Sequence, residues 1–280
     1  MNRPFDPEIA PPVRRNGSRG TVVCLHSSAS SGGQWRSLVE RLSPRWQVLA
    51  PDLYGYGKHA RQDGMGAFTL DDELKWLTPV FDEAGERFHV VGHSYGGLMA
   101  LYAALKLGKR VCSITVYEPA AWTASIQKDP GHEGAVEIAF IRDQTVRLVE
   151  EGRLEEAAKR FVAYWAGPEA WNVIPAKKKA IVTQAMKKVR SEFLAELNAH
   201  TAGHASIESY ASIQAPVLYL MGSKTKKASH RVADVLAPVL RGAAQVELTG
   251  LGHMGPSTHA DLVNELIEQF VSIQHRSSNS

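Results

Sequence analysis

The chain has 280 residues, 44% of them hydrophobic, enough to bury a full core, and α/β folds of this length commonly form one domain with insertions. Its 32 basic and 29 acidic residues leave a net charge of +3, and no long basic run interleaved with aromatics offers a nucleic-acid surface. No apolar run approaches the length of a membrane span.

In chain order, residues 1–20 are rich in Pro and Arg without an apolar stretch, so they read as a poorly ordered segment rather than a signal peptide or anchor. Short, nearly continuous apolar runs then read as buried parallel strands: Thr21 to Leu25, Val48 to Ala50, Phe88 to Val91, Val111 to Tyr117, Val217 to Met221 and Gln245 to Leu248. Amphipathic helices alternate with them, with apolar stripes at Trp35, Leu38, Val39, Leu42, at Val232, Val235, Leu236, Val239, and at Val263, Leu266, Ile267, Phe270. Thr69-Leu70-Asp71-Asp72 signals a helix start. The alternation predicts a doubly wound, mostly parallel α/β sheet formed by residues 21–121 and 211–275. Between them, Val136, Phe140, Leu148, Leu154, Phe161, Trp165, Ile181, Phe193 and Leu197 predict an all-helical cap over residues 122–210, placed to cover the carboxyl ends of the strands. Residues 277–280 read as a frayed tail.

Gly92-His93-Ser94-Tyr95-Gly96-Gly97 lies between a strand candidate and a helix carrying Leu98, Leu101, Tyr102 and Leu105. This pattern predicts a sharp strand-to-helix turn that holds Ser94 Oγ above the sheet, with Gly92 and Gly96 small enough for the close backbone approach. A serine hydroxyl is a poor nucleophile near neutral pH and needs a base, itself oriented by a carboxylate. His253, in Gly250-Leu251-Gly252-His253-Met254-Gly255 after the last strand candidate, lies at the correct end of the sheet to be that base.

Leu25-His26-Ser27-Ser28, Pro51-Asp52-Leu53-Tyr54-Gly55-Tyr56-Gly57, the Ser94 turn and the His253 loop together resemble the α/β-hydrolase fold superfamily, in its esterase- and lipase-like branch, over about residues 21–273. The resemblance implies a cofactor-independent serine hydrolase acting on a small-molecule acyl substrate, with no metal. It places the oxyanion hole at the backbone N–H groups of Tyr95 and Ser28. His-Gly is the usual start of the early loop, whereas this chain has His26-Ser27. Asp52 is assigned to forming its loop, and His93 to shaping the turn. The acid is a departure: relatives often carry Asp after the strand at residues 217–221, but this chain has Gly222-Ser223-Lys224-Thr225. The other location known in the fold is the end of the strand after the nucleophile helix, where Glu118 precedes Pro119; Asp234 and Asp129 are the fallback acids.

Trp122, Phe140, Phe161, Tyr164, Trp165 and Trp171 supply aromatic surface for an apolar substrate pocket, with His26, Trp122 and Met254 as pocket candidates. Carbon–carbon bond hydrolysis, perhydrolysis on the same triad and a non-catalytic receptor of the same fold are the alternatives. Lys177-Lys178-Lys179 and Lys187-Lys188, offset by Glu192 and Glu196, read as a solvated helix face. His200 and His204 have metal-like i, i+4 spacing, but Thr201 stands where a zincin carries Glu, so no metal site is expected. Cys24 and Cys112 read as small buried hydrophobes in a reducing, cytoplasmic setting. Nothing in the sequence sets an oligomeric state.

Overall fold

A computed structural model describes residues 19–57 and 68–278. All six predicted strands form: β1 Thr21–Leu25, β2 Gln47–Leu49, β3 Phe88–His93, β4 Val111–Tyr117, β5 Val217–Gly222 and β6 Ala244–Leu248. They make one parallel sheet in the order β2-β1-β3-β4-β5-β6. Alternate side chains enter opposite layers, as a strand period of two requires. Val22, Cys24, Val91, Leu218 and Leu220 pack with α1 (Arg36–Leu42) and α12 (Ala260–Ser278). Val23, Leu25, Val90, Ile114, Val116 and Tyr219 face the other layer, with α2 (Leu70–Ala84), α3 (Tyr95–Leu107) and α10 (Lys227–Leu236). Val263, Ile267 and Val271 of α12 are fully buried, each contributing about 1.5–3 kcal/mol. Helix α3 is buried from Tyr95 through Ala104 because sheet and helices enclose it on every side.

The chain runs from β1 outward to β2 and returns on the other side of β1 as β3, so the direction of winding reverses between β1 and β3. Open α/β sheets bind ligands at such a switch point, beyond the carboxyl ends of the strands. The loop after β1 and the turn after β3 therefore sit side by side. Thr69 and Asp72 form a reciprocal capping box at the start of α2, with the Asp72 N–H donating to Thr69 Oγ1 and the Thr69 N–H to Asp72 Oδ2.

Between β4 and β5 the described chain is entirely helical: α4 Trp122–Lys128, α5 Glu133–Glu150, α6 Leu154–Ala166, α7 Ala170–Val173, α8 Ala176–Thr201 and α9 Ile207–Ala211. Helices α5 and α6 pack on α8, and α8 also reaches α2 of the main body.

Several expectations are corrected. Strand β6 is an edge, exposed along most of its length, because no strand among the described residues pairs with its outer side. Val136, Phe140 and Ile181 point to solvent. Lys188, Glu192 and Glu196 are buried at 3–5% exposure, not a solvated face, because α8 turns that stripe toward α2, α4 and the loop after β1. Cys112 is half-buried at the surface end of β4, where Arg87 Nε–H donates to its Sγ at 3.3 Å. Arg19 and Gly20 are tied by main-chain bonds to Arg45 and Gln47, and α12 extends through the expected tail to Ser278. The rest of the expected disordered segments, residues 1–18 and 279–280, lies outside the described residues.

A Cβ on Gly96 would meet the carbonyl oxygens of Leu25 and His26, main-chain atoms at the end of β1 that cannot swing aside. Gly96→Ala should lower unfolding free energy by about 3 kcal/mol or more, read as a lower urea midpoint; an unchanged midpoint would contradict the close approach.

Candidate active site

Ser94 adopts φ 53° and ψ −118° between β3 and α3. A non-glycine residue there is strained, and it persists because main-chain bonds determine it from both sides. Its N–H donates to Tyr117 O, and its carbonyl accepts from Leu98 and Ala120 N–H, each at 3.0 Å. Gly92 and Gly97 approach so closely that a Cβ on Gly92 would enter the Gly96 and Gly97 backbone. The other non-glycine residues with positive φ among those described are Ala29, next to Ser28, and Glu118. All three flank one cleft. The Ser94 turn is announced by its glycines, whereas the strain at Ala29 and Glu118 has no such pattern in the sequence.

Glu118 follows the last residue of β4, with its N–H donating to Leu220 O. Its Oε2 lies 2.7 Å from His253 Nδ1, and its Oε1 accepts the Gly222 N–H at 2.9 Å. Thr225, at the place where relatives often carry Asp, donates its hydroxyl to Glu118 Oε2 at 2.6 Å. The threonine therefore supports the displaced carboxylate. Burial pushes the Glu118 carboxyl up, but His253 and the two donors outweigh it and hold it below the ordinary carboxylate value. Asp129 and Asp234 are exposed and take no part in this contact.

Two more bonds hold the His253 loop. Tyr117 Oη–H donates to Gly252 O at 2.8 Å, and His93 Nε2–H donates to His253 O at 2.8 Å. His93 then accepts on Nδ1 from Gln34 Nε2–H, while Gln34 Oε1 accepts from the Ser27 N–H and hydroxyl. Burial, then the neighbouring His253, keep His93 well below the ordinary histidine value, so it is a neutral spacer. Ser27 is thus turned toward Gln34, not the cleft. The Trp165 ring of α6 packs against His253, with centroids 4.1 Å apart.

The cleft is lined by Ser28, Ser94, Tyr95, Leu98, Ala120, Trp122, Phe161, Trp165, Val189, Glu192, Phe193 and Glu196. It unites Ser94 with both expected oxyanion residues. No acceptor among the described residues takes the Ser28 N–H, and Tyr95 N–H lies in the first turn of α3, where no intrahelical acceptor exists. Ser94 and His253 are not hydrogen-bonded to each other. Trp122 lines the cleft as expected, but His26 and Met254 do not. His26 is consumed by its own loop, accepting Leu53 N–H on Nε2 and donating from Nδ1 to Ser27 O, and burial lowers its pKa to about 4. Met254 caps the short helix α11 (Gly255–Thr258). Asp52 Oδ1 accepts the Gly32 N–H, the loop-forming role expected of it.

Sequence reasoning missed the contribution of α8. Val189, Glu192, Phe193 and Glu196 reach the cleft, although their mixed polarity resembles a solvated face. The available signal was the fourfold spacing of Lys188, Glu192, Glu196 and His200 beside apolar Val182, Met186, Val189 and Phe193. His200 donates from Nδ1 to Ala205 O, His204 is exposed, and no group of three or more His, Cys, Asp or Glu among the described residues could hold a metal ion.

Residues 22–266 match the alpha/beta hydrolase family. The chain belongs to this family. Among curated relatives, it is 30% identical over 171 residues to the pimeloyl-[acyl-carrier protein] methyl ester esterase of Aliivibrio salmonicida, covering 60% of each chain. It is 25% identical to the corresponding Aliivibrio fischeri protein, over 89% of this chain and 93% of the relative. To lipase LipV of Mycobacterium tuberculosis it is 32% identical, over 39% of this chain and 41% of the lipase. The chain thus spans about half the length of the first and last of these relatives. A solved hydrolase from Oleispira antarctica superposes with a TM-score of 0.72 at 17% identity, over 92% of this chain and 93% of its own. At that identity the likeness concerns the fold.

Within this family member, Glu196 accepts the Thr123 N–H at 2.7 Å and also bonds the Thr123 hydroxyl, yet burial raises its pKa to about 7. A carboxyl raised above its unfolded value of 4.5 binds its proton more tightly when folded. Its favourable contribution is complete below that value and is lost as pH rises through about 7. Glu196→Gln should therefore remove about 2–3 kcal/mol of the fall in stability between pH 5 and pH 8, measured by urea unfolding across that range. Identical pH slopes in the two proteins would contradict it.

Proposed function

We propose that the protein is a cofactor-independent serine hydrolase that cleaves an ester-like bond of a small or medium apolar acyl substrate through an acyl-enzyme. The observation that carries this reading is the buried Glu118–His253 contact at the same strand ends as a strained Ser94 facing an aromatic-walled cleft. Esterase and lipase relatives support it.

Glu118 holds the imidazole with its proton on Nδ1, leaving Nε2 to take the Ser94 proton as Oγ attacks the substrate carbonyl. Negative charge then develops on the carbonyl oxygen, where the Tyr95 and Ser28 N–H groups meet it; one such donor is worth about 3–4 kcal/mol in the transition state. His253 passes its proton to the leaving group, the acyl-enzyme forms on Ser94, and water repeats the sequence to release the acid.

The helices of residues 122–210 act as a cap in this reading, with Trp122, Phe161, Trp165 and Phe193 forming the apolar wall. A receptor reading loses its motive, since Glu118 replaces the acid absent at Thr225. A cytoplasmic setting accords with two free thiols, Cys24 and Cys112. No helix among the described residues is long and apolar enough to cross a membrane.

A fluorophosphonate should label Ser94, located by peptide mass, and the protein should hydrolyse p-nitrophenyl esters, best at short or medium acyl length. Ser94→Ala should abolish both. Lack of labelling at Ser94 would overturn the proposal. Glu118→Gln should lower kcat by about 10⁴ while circular dichroism stays unchanged, because the imidazole loses its anionic partner.

A further inference from the structure

Two residues that line the cleft, Ser28 and Tyr95, are tied through their side chains to one face of helix α8, Ser28 directly and Tyr95 by way of Glu73 on α2. Ser28 Oγ–H donates to Glu192 Oε2 at 2.6 Å. Tyr95 Oη–H donates to Glu73 Oε2 at 3.0 Å, and Lys188 Nζ–H donates to the same oxygen at 2.7 Å. Lys188 and Glu192 are four residues apart on α8, hence neighbours on its surface, with Nζ 3.8 Å from Glu192 Oε1. That second oxygen also accepts Tyr56 Oη–H at 2.7 Å, and Glu73 Oε1 accepts the Tyr54 N–H at 2.7 Å. One buried polar chain therefore runs from the loop after β1, through α8, to the first residue of α3.

Burying these groups is costly, and ion pairs of this kind add little net stability compared with apolar packing. What they impose is geometry, since each acceptor admits its donor only over a narrow range of distance and angle. Ser28 has particular need of this. It lies in an irregular loop beside Ala29, which is strained at φ 54°, and among the described residues its side chain bonds only Glu192. The apolar neighbours of α8, Val189 and Phe193, line the same cleft, so the helix touches substrate space and the oxyanion donors together.

We propose that Glu192 and Lys188 are positioning residues for the oxyanion hole. Glu192 sets the Ser28 N–H and Lys188, through Glu73, sets Tyr95, so that seating of α8 and assembly of the hole are one event. This rests on the serine hydrolase reading above and adds a part of the chain that the reading does not require. A misplacement of about 1 Å at such a donor can cost about 10²-fold in rate.

The test uses p-nitrophenyl butyrate with the full-length protein, and compares Glu192→Ala, Glu192→Gln, Ser28→Ala and the double variant Ser28→Ala/Glu192→Ala. Ser28→Ala removes the hydroxyl but keeps the N–H, so it reports on anchoring alone and keeps the test valid if Glu192→Ala does not fold. Ser28→Ala and Glu192→Ala should each lower kcat by about tenfold to 10²-fold with KM nearly unchanged. The double variant should be no worse than the poorer single, and Glu192→Gln, which retains an acceptor oxygen, should recover most of kcat. Inhibition by butylboronic acid, whose Ser94 adduct carries the tetrahedral anion, should weaken in step with kcat. Wild-type kcat in Ser28→Ala, or multiplicative losses in the double variant, would overturn this inference alone. Absence of turnover and of Ser94 labelling in the unsubstituted protein would overturn it together with the hydrolase reading.

Discussion

The contact between Glu118 and His253 is the constraint around which the site is arranged. It joins the end of β4 to the loop after β6, and it does so across β5, whose last residue, Gly222, gives its N–H to the same carboxylate. Three neighbouring strand ends are thereby tied at one buried anion. An unpaired carboxylate at 1% exposure would be strongly unfavourable, so the histidine, the Thr225 hydroxyl and the Gly222 N–H are required to keep it charged. The same charge keeps the imidazole in one tautomer and one orientation.

A second, neutral relay holds the other side of that histidine. Ser27, Gln34 and His93 pass a chain of hydrogen bonds from the loop after β1 to the His253 carbonyl, and burial keeps His93 uncharged. His26 performs a similar task within its own loop. The histidines near Ser94 thus divide by environment: His26 and His93 spend both ring nitrogens on the frame, whereas His253 spends only Nδ1. The polar chain through Lys188 and Glu192 is a third support, reaching the loop after β1 and the start of α3 from the helical layer.

The inner strands were legible because parallel strands buried on both faces leave continuous apolar runs; the exposed edge β6 was also found, so all six fell within one or two residues of their predicted bounds. The Ser94 turn was legible because close backbone contact excludes any side chain at Gly92 and Gly96. Glu118 is singled out through the family resemblance, which offers the end of the strand after the nucleophile helix as the other acid position once Thr225 stands where relatives often carry Asp. The α8 residues were misread for a definite reason. Lys, Glu and Glu at fourfold spacing look the same whether that stripe faces water or a buried set of Tyr, Ser and Glu partners contributed by distant segments.

The sequence by itself determined the order of strands and helices along the chain and the tight turn at Ser94, because local sterics and apolar periodicity are written in neighbouring residues; Glu118 is pointed to only through the family resemblance. Only the tertiary structure decided that Thr225 supports Glu118, that His26 and Met254 stay out of the cleft, and that Glu192 grips Ser28. Each of those depends on the direction in which a side chain points across a gap of many tens of residues. Burial, by removing water as an alternative partner, turns that direction into a requirement.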